Sequence, residues 1–306
     1  MINKILKVIL DKNYRFVILA NLGVFNSMND EKFLKKMFQA KMGYKLNLNN
    51  PCTYNEKLQW LKLYDRKEEY TKLVDKFEVR DYVKNKVGEK YLIPLIGVWE
   101  NVDEIDFDKL PKEFVLKCTH NSGYGMTICK DKDSLEIKKV KRELKKGLKE
   151  NYYFSGREWP YKNVKPRIIA EELIGDKIKA PLDYKFFTFN GKIDSIMVCS
   201  ERETGNTKFK FFDVKWNRLM YQYNEMSSID EVEKPVNLDE MIQIVEELSK
   251  GYHQIRIDLY NIEGKIYFGE MTFYNQSGYD LDISKETDYK WGKKIYLPER
   301  SKNDIK

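Results

Sequence analysis

Apolar positions recur at helical spacing before about residue 90 and give way to short alternating runs after Tyr91. Thr53 and Glu56 form a capping box ahead of an apolar helix carrying Leu58, Leu61 and Leu63. The same spacing predicts a second helix from about Tyr70 to Asn85, which includes Asp75, Lys76 and Arg80. Beyond Tyr91, strands are predicted at Leu95–Trp99, Glu113–Cys118, Met126–Cys129, Arg167–Glu172 and Asp183–Phe189. Asn190-Gly191 is the strongest hairpin turn in the chain. Phe209–Val214 and Asn217–Tyr223 read as a further strand pair, followed by a helix from Asn237 or Leu238 to about Lys250. The segment after Asp280 is polar and is expected to wrap the surface. Helices interspersed with antiparallel hairpins imply α+β lobes rather than a parallel, doubly wound sheet.

One stretch carries chemistry as well as structure. Ile255–Tyr260 and Lys265–Thr272 read as a hairpin, and alternation puts Arg256 with Asp258 on one strand face and Glu270 with Thr272 on one face of the return strand. A three-residue loop at Ile262–Gly264 pairs Asn261 with Lys265, sets Arg256 opposite Glu270 and leaves Asp258 one diagonal step from Glu270. Diagonal side chains root about 7–8 Å apart, near enough for two carboxylates to hold one divalent cation. A solvated face of cross-strand ion pairs would show the same residues.

Composition narrows the setting. The 306 residues carry 55 Lys and Arg against 48 Asp and Glu, a net charge of +7 that allows a polyanionic partner without demanding one. Lys138, Lys139, Lys141, Arg142, Lys145, Lys146 and Lys149 crowd one predicted helix, either a solvated face or a surface for an anionic membrane or glycan. Cys52, Cys118, Cys129 and Cys199 lack metal spacing and, with no signal peptide, read as reduced thiols of a cytosolic protein. The apolar run Val17–Phe25 is too short to span a bilayer, so membrane contact would be peripheral. With only His120 and His253 available, the sequence argues against a multi-histidine metal site.

Lys117 lies in the apolar strand EFVLKC, where an ammonium needs a carboxylate or a bound anion beside it. Thr119 to Gly125 follows as a polar loop whose glycines let backbone N–H groups approach phosphate, although an ordinary turn has the same composition. No G-x-x-x-x-G-K-[ST] or complete G-x-G-x-x-G run is present. Arg167–Gly175 is an apolar strand ending in Glu171 and Glu172, placed either to read a purine edge or to face water. Asp183 and Lys185 share a strand face, fitting ribose and phosphate or a plain ion pair. The aromatic segment Tyr152–Lys162 is a candidate glycan platform or a piece of core.

Taken in order, VDKFEVRDYV, FVLKCTHNSGYG, RIIAEELIG, DYKFFTFNGK and RIDLYNIEGKIYFGEMTF resemble the ATP-grasp superfamily. NPCTYNEKLQWLKLYDR and LIPLIGVWE are similar to its TupA-like branch, associated with teichuronopeptide and capsular polysaccharide synthesis, and the resemblance runs from about Gly43 to Gly278. It implies an α+β ATP-grasp fold with a helical N-terminal region (1–70), a central lobe with the glycine-rich loop (71–172) and a C-terminal lobe with the metal-binding hairpin and a surface tail (173–306). It further implies that Lys76 and Lys117 touch the ATP phosphates under a flexible loop His120–Gly125, including Ser122, Gly123 and Gly125. Glu171, Glu172 and Leu173 would form the adenine hinge, Asp183 would meet ribose and Lys185 a further phosphate. Arg256 would steady the transferring phosphoryl group while Asp258 and Glu270 hold Mg2+. Many members carry Asn two residues after the metal-binding Glu; here Thr272 stands there, with Asn275 three further on.

The activity implied is that of an ATP-dependent carboxylate–amine ligase acting through an acyl phosphate. Its partners would be a uronic acid-containing glycan or precursor and an amino acid or amino sugar, with no nucleic acid. The expected location is the cytoplasm, with peripheral contact at the membrane or the polysaccharide assembly machinery. A sugar kinase on the same ATP site, a metal-dependent glycosyltransferase and a silent binding module are the alternatives. Three D-x-D pairs, Asp106/Asp108, Asp131/Asp133 and Asp280/Asp282, match the glycosyltransferase pattern.

Overall fold

The computed structural model describes residues 9–123, 125–176, 180–223 and 232–299. The helices are α1 (Lys12–Asn21), α2 (Asp30–Met42), α3 (Tyr54–Tyr64), α4 (Glu68–Val74), α5 (Val79–Lys86), α6 (Ile137–Lys149), α7 (Leu238–Ser249) and α8 (Lys285–Lys294). Strands β1 (Leu95–Trp99), β2 (Phe114–Cys118), β3 (Met126–Cys129) and β4 (Ile168–Glu171) form an antiparallel sheet in the order β1-β4-β2-β3. A second antiparallel sheet runs β10-β9-β5-β6-β7-β8. Its strands are β5 (Asp183–Phe189), β6 (Lys192–Ser200), β7 (Lys208–Phe212), β8 (Arg218–Leu219), β9 (Gln254–Ile262) and β10 (Lys265–Thr272).

Each sheet buries one face under a helix. In the smaller sheet, Phe114, Leu116 and Cys118 alternate inward onto Val140 and Leu144 of α6, forming a core of their own. In the larger one, Ile196 and Val198 of β6 and Ile255, Ile257 and Leu259 of β9 meet Met241, Ile244, Val245 and Leu248 of α7. The N-terminal helices do not fold round a separate centre. Phe33, Leu34, Met37, Phe38, Leu58 and Leu61 join the core of the six-stranded sheet.

Two expectations fail for identifiable reasons. The single helix from Tyr70 to Asn85 is broken into α4 and α5, because Asp75 accepts a hydrogen bond from the Phe77 N–H (2.9 Å) and turns the chain. The polar tail does not simply wrap the surface. Ser284 caps α8 through the Thr287 N–H, and Trp291 is fully buried, stacked on Phe187 at 4.7 Å and edge-on to Tyr54 at 5.1 Å. One tryptophan among charged neighbours gives almost no periodic signal, yet with Asp288, which accepts from Asn55 (3.0 Å), it docks the helix, and its truncation to alanine would cost about 3–5 kcal/mol.

The candidate glycan platform is largely interior. Tyr153, Gly156, Arg157, Glu158 and Pro160 are buried, while Tyr152 and Tyr161 stay half-buried with their rings 4.8 Å apart. Each D-x-D pair proves to be a local turn: Asp106, Asp131 and Asp280 accept from the N–H of Asp108, Asp133 and Asp282 at 3.0–3.2 Å. All four cysteines are free thiols, and among the described residues no helix is long and apolar enough to cross a membrane.

Candidate active site

The hairpin register decides what the carboxylates can do. Lys265 pairs with Ile262 across a two-residue Glu263-Gly264 turn in which both residues have positive φ, the type I′ geometry that suits strand twist. Carried straight on, that register would pair Asp258 with Gly269 and turn Glu270 toward the core. A bulge at Gly269 shifts the pairing, so Asp258 stands directly opposite Glu270, and Arg256 opposite Thr272. The expected diagonal is therefore a direct cross-strand pair, and Arg256 is displaced from its expected partner. Gly269 fits because a Cβ there would lie 3.0 Å from the Asp258 carbonyl.

All four expected metal ligands converge on one guanidinium. Arg256 donates from Nε and Nη2 to both oxygens of Asp258 (2.6 and 2.8 Å). It also donates from Nη2 to Glu270 Oε1 (2.9 Å) and Thr272 Oγ1 (3.1 Å), and from Nη1 to Asn275 Oδ1 (2.6 Å). β5 lies beside β9, pairing Lys185 with Asp258, and the Lys185 ammonium contacts both Asp258 and Asp183. Burial would raise the Glu270 carboxyl, but Arg256, Lys185 and Lys76 outweigh it and hold it down at about 2. Lys185 is raised despite burial by Asp258. Asp183 accepts from Arg202 at 2.8 Å through Oδ2, while its buried Oδ1 has no partner.

The facing lobe contributes cations. Lys117 pairs with Glu171 Oε2 at 2.5 Å, and Arg80 holds the other Glu171 oxygen at 3.1 Å. That pairing takes the Glu171 carboxylate away from an adenine amine; Glu172 is exposed and Leu173 half-buried just beyond it. Val115, Lys117, Met126, Ile128 and Ile169 share the cleft face by register, with Met126 and Ile128 more than half exposed. Lys76, delivered by the α4–α5 break, donates to the Asn121 carbonyl. Burial pulls its ammonium down while Glu270 of the other sheet raises it and Lys117 lowers it, so Lys76 sits between the lobes. The glycine-rich loop is only partly free. Thr119, His120 and Asn121 are buried, Asn121 Nδ2 donates to the Gly147 carbonyl (2.6 Å), and Gly125 at φ +64° presses against Cys118 and Gly147. Ser122 and Gly123 are exposed; Tyr124 lies outside the described residues.

Behind Arg256, α3 presents a polar stripe that periodicity alone assigns to solvent. Asn55, Gln59 and Lys62, one face at i, i+4 and i+7, are all buried. Asn55 accepts from the Asp280 N–H (2.8 Å), Gln59 Nε2 donates to the Gly278 carbonyl (2.6 Å), and Lys62 Nζ donates to the carbonyls of Gly156 (2.7 Å) and Ser277 (2.8 Å). Together they grip the Asn275–Gly278 turn, in which Gln276 and Ser277 adopt left-handed backbone, and so fix Asn275 against Arg256. Arg80 and Glu158 lie in stretches that the sequence singles out, but without a site role, and Arg202 is not marked by its local pattern at all.

One antiparallel sheet carries Lys117, the other carries the Asp258–Glu270 pair with Arg256 and Lys185, and Lys76 lies within electrostatic reach of both; this is an α+β fold of the ATP-grasp class. The chain belongs to the TupA-like ATP-grasp family, whose model matches residues 56–296. No curated protein matches it. Among solved structures it is similar to a D-alanine–D-alanine ligase from Bacillus anthracis complexed with ATP (17% identity, 66% of this chain and 53% of that one, TM-score 0.39). It is also similar to a D-alanine–D-alanine ligase from Helicobacter pylori (14%, 86% and 69%, 0.41) and an L-amino acid ligase from Bacillus licheniformis (12%, 82% and 57%, 0.44). The chain thus spans about half the length of the first.

Proposed function

We propose that the protein is an ATP-dependent carboxylate–amine ligase that activates a uronic acid of a bacterial surface polysaccharide, or its precursor, and joins it to an amino acid or amino sugar. The observation that carries this is the meeting of Arg256, Asp258, Glu270 and Lys185 on one sheet with Lys76 and Lys117 from the other lobe. A triphosphate seated there exchanges internal ion pairs for its own: Lys117 leaves Glu171, and Lys185 leaves Asp258. The exposed Met126 and Ile128 give a purine an apolar floor beside the Glu172–Leu173 backbone, and the orphaned Asp183 Oδ1 is an acceptor for a ribose hydroxyl.

The donor set suits magnesium, which takes one or two carboxylates with phosphate and water oxygens completing its shell. Asp258 and Glu270 would hold it, with Thr272 and Asn275 alongside; once bound, it neutralises and orients phosphate oxygens. Among the described residues these carboxylates stand as a pair, outside any group of three His, Cys, Asp or Glu side chains. Arg256, tethered to both acids, stays charged and meets the transferring phosphoryl group, so catalysis of the first step is positioning and charge neutralisation. The carboxylate of the acceptor becomes an acyl phosphate; an amine then attacks the acyl carbon and phosphate leaves. ATP places the work in the cytoplasm, with the acceptor reached at the inner membrane face.

Mass spectrometry of reactions holding ATP, magnesium, uronic acids and amines tests the class. The expected product has the summed mass of acid and amine less water, formed by the wild type and lost in Asp258→Asn. A stable phosphorylated sugar instead would assign a kinase.

A further inference from the structure

Two buried side chains, Glu158 and Lys62, and the half-buried Ser277 lie next to the Arg256 network without belonging to it. Glu158 is 3% exposed and hydrogen-bonds the Ser277 hydroxyl; Lys62, with no exposed surface, reaches the same hydroxyl at 3.1 Å. Ser277 Oγ thus bridges an acid and an ammonium, two residues along the chain from Asn275, which accepts from Arg256. The electrostatic neighbours of Glu158 include Lys62, Glu270 and Arg256; Lys41, Tyr161 and Tyr279 feel it in turn.

The fold invests heavily in aiming Glu158. Arg157 before it adopts left-handed backbone at φ 56°, and its buried guanidinium is clamped by the carbonyls of Phe25 (2.7 Å), Asn26 (3.0 Å) and Met28 (3.3 Å). Ser277 is left-handed as well, at φ 53°. Gly156 is required between them, since a Cβ there would overlap Ser277 Oγ and lie 3.6 Å from Glu158 Oε1. Left-handed backbone at these two non-glycine residues is strain that the surrounding buried hydrogen bonds have to hold. The half-buried Tyr161 senses both Glu158 and Glu270.

We propose that Glu158, Ser277 and Lys62 form the nucleophile end of the active site, where Glu158 binds the incoming primary amine and takes its proton. The inference rests on the ligase function proposed above. As the amine nitrogen bonds to the acyl carbon, the carbon–oxygen bond to phosphate breaks, phosphate departs with that electron pair, and the amine proton passes to the Glu158 carboxylate and on to solvent. Burial supports this: it raises the Glu158 carboxyl and lowers the Lys62 ammonium to about 7, drawing both toward the range where proton exchange is easy.

Hydroxylamine, a small nucleophile already largely unprotonated at neutral pH, separates the two halves of the reaction. Wild type, Glu158→Gln and Ser277→Ala are assayed with ATP, magnesium and glucuronate or galacturonate, with hydroxylamine or alanine as nucleophile, alongside ATP-binding and thermal-melt controls. General-base loss is worth about 10²–10⁴-fold, so the amide-to-hydroxamate ratio is expected to fall at least about 100-fold in Glu158→Gln and less in Ser277→Ala. An unchanged ratio in folded, ATP-binding Glu158→Gln overturns the assignment of Glu158 while leaving the ligase intact. Wild type that yields neither hydroxamate nor amide overturns the ligase function itself, and this inference with it.

Discussion

Arg256 is the residue on which the site is balanced. Its guanidinium satisfies two carboxylates, a hydroxyl and an amide at once, so the groups expected to bind metal are preorganised by a side chain that can also contact substrate. A network of this kind is costly to leave half-satisfied, which is why its outer members matter. Asp280 is one: it accepts from Asn275 Nδ2 at 2.8 Å, and burial pushes its carboxyl up from 3.8 to about 6 against the pull of the Asp282 N–H. Between those values the folded protein keeps a proton that the unfolded chain has released. Stability is therefore full below about pH 4 and falls as pH rises to about 6, by roughly 3 kcal/mol at about 1.4 kcal/mol per unit. Asp280→Asn, which keeps an acceptor for Asn275, is expected to flatten that decline. Urea midpoints of both proteins from pH 4 to 7 check it, and parallel curves would refute it.

At the scale of elements, the site depends on two irregularities that compensate. The Glu263-Gly264 turn alone would face Glu270 into the core, and the Gly269 bulge restores it to the cleft. Glu263 sits at φ 51°, where asparagine is far better tolerated than glutamate. Glu263→Asn is thus expected to stabilise the protein by about 0.5–1 kcal/mol with activity unchanged, read from chemical denaturation; destabilisation would show that the turn is not what fixes the register. This pair also explains what could be read from the chain beforehand. Alternation assigned Arg256, Asp258, Glu270 and Thr272 to one face, because turn and bulge each shift parity by one and cancel; the cross-strand partners were wrong because a glycine among apolar residues does not announce a bulge. The strands β1 to β5 were legible from their β-branched and aromatic runs. The α3 stripe was not, since Asn55, Gln59 and Lys62 at helical spacing look like a solvated face until the Asn275–Gly278 turn is laid against them.

In the whole molecule, the two lobes differ in how they are built. The smaller sheet closes on its own core with α6, whereas the larger shares one core with the N-terminal helices and α8. That second body carries the acidic hairpin; the first carries Lys117, and Lys76 stands between them. Without ligand, the cleft cations are spent on internal partners, Lys117 on Glu171 and Lys185 on Asp258. Binding therefore has to exchange one set of ion pairs for another, and its net gain comes from a ligand that engages both sheets together. ATP with magnesium at about one hundred times Kd should stabilise the protein by about 2.7 kcal/mol. Amide exchange should slow in β2 and in β9 and β10 at once, with ATP alone giving less and Asp258→Asn losing the increment due to the metal. Protection confined to one sheet would mean that the nucleotide does not bridge the lobes, and that the carboxylate pair opposite Lys117 serves only to hold Arg256.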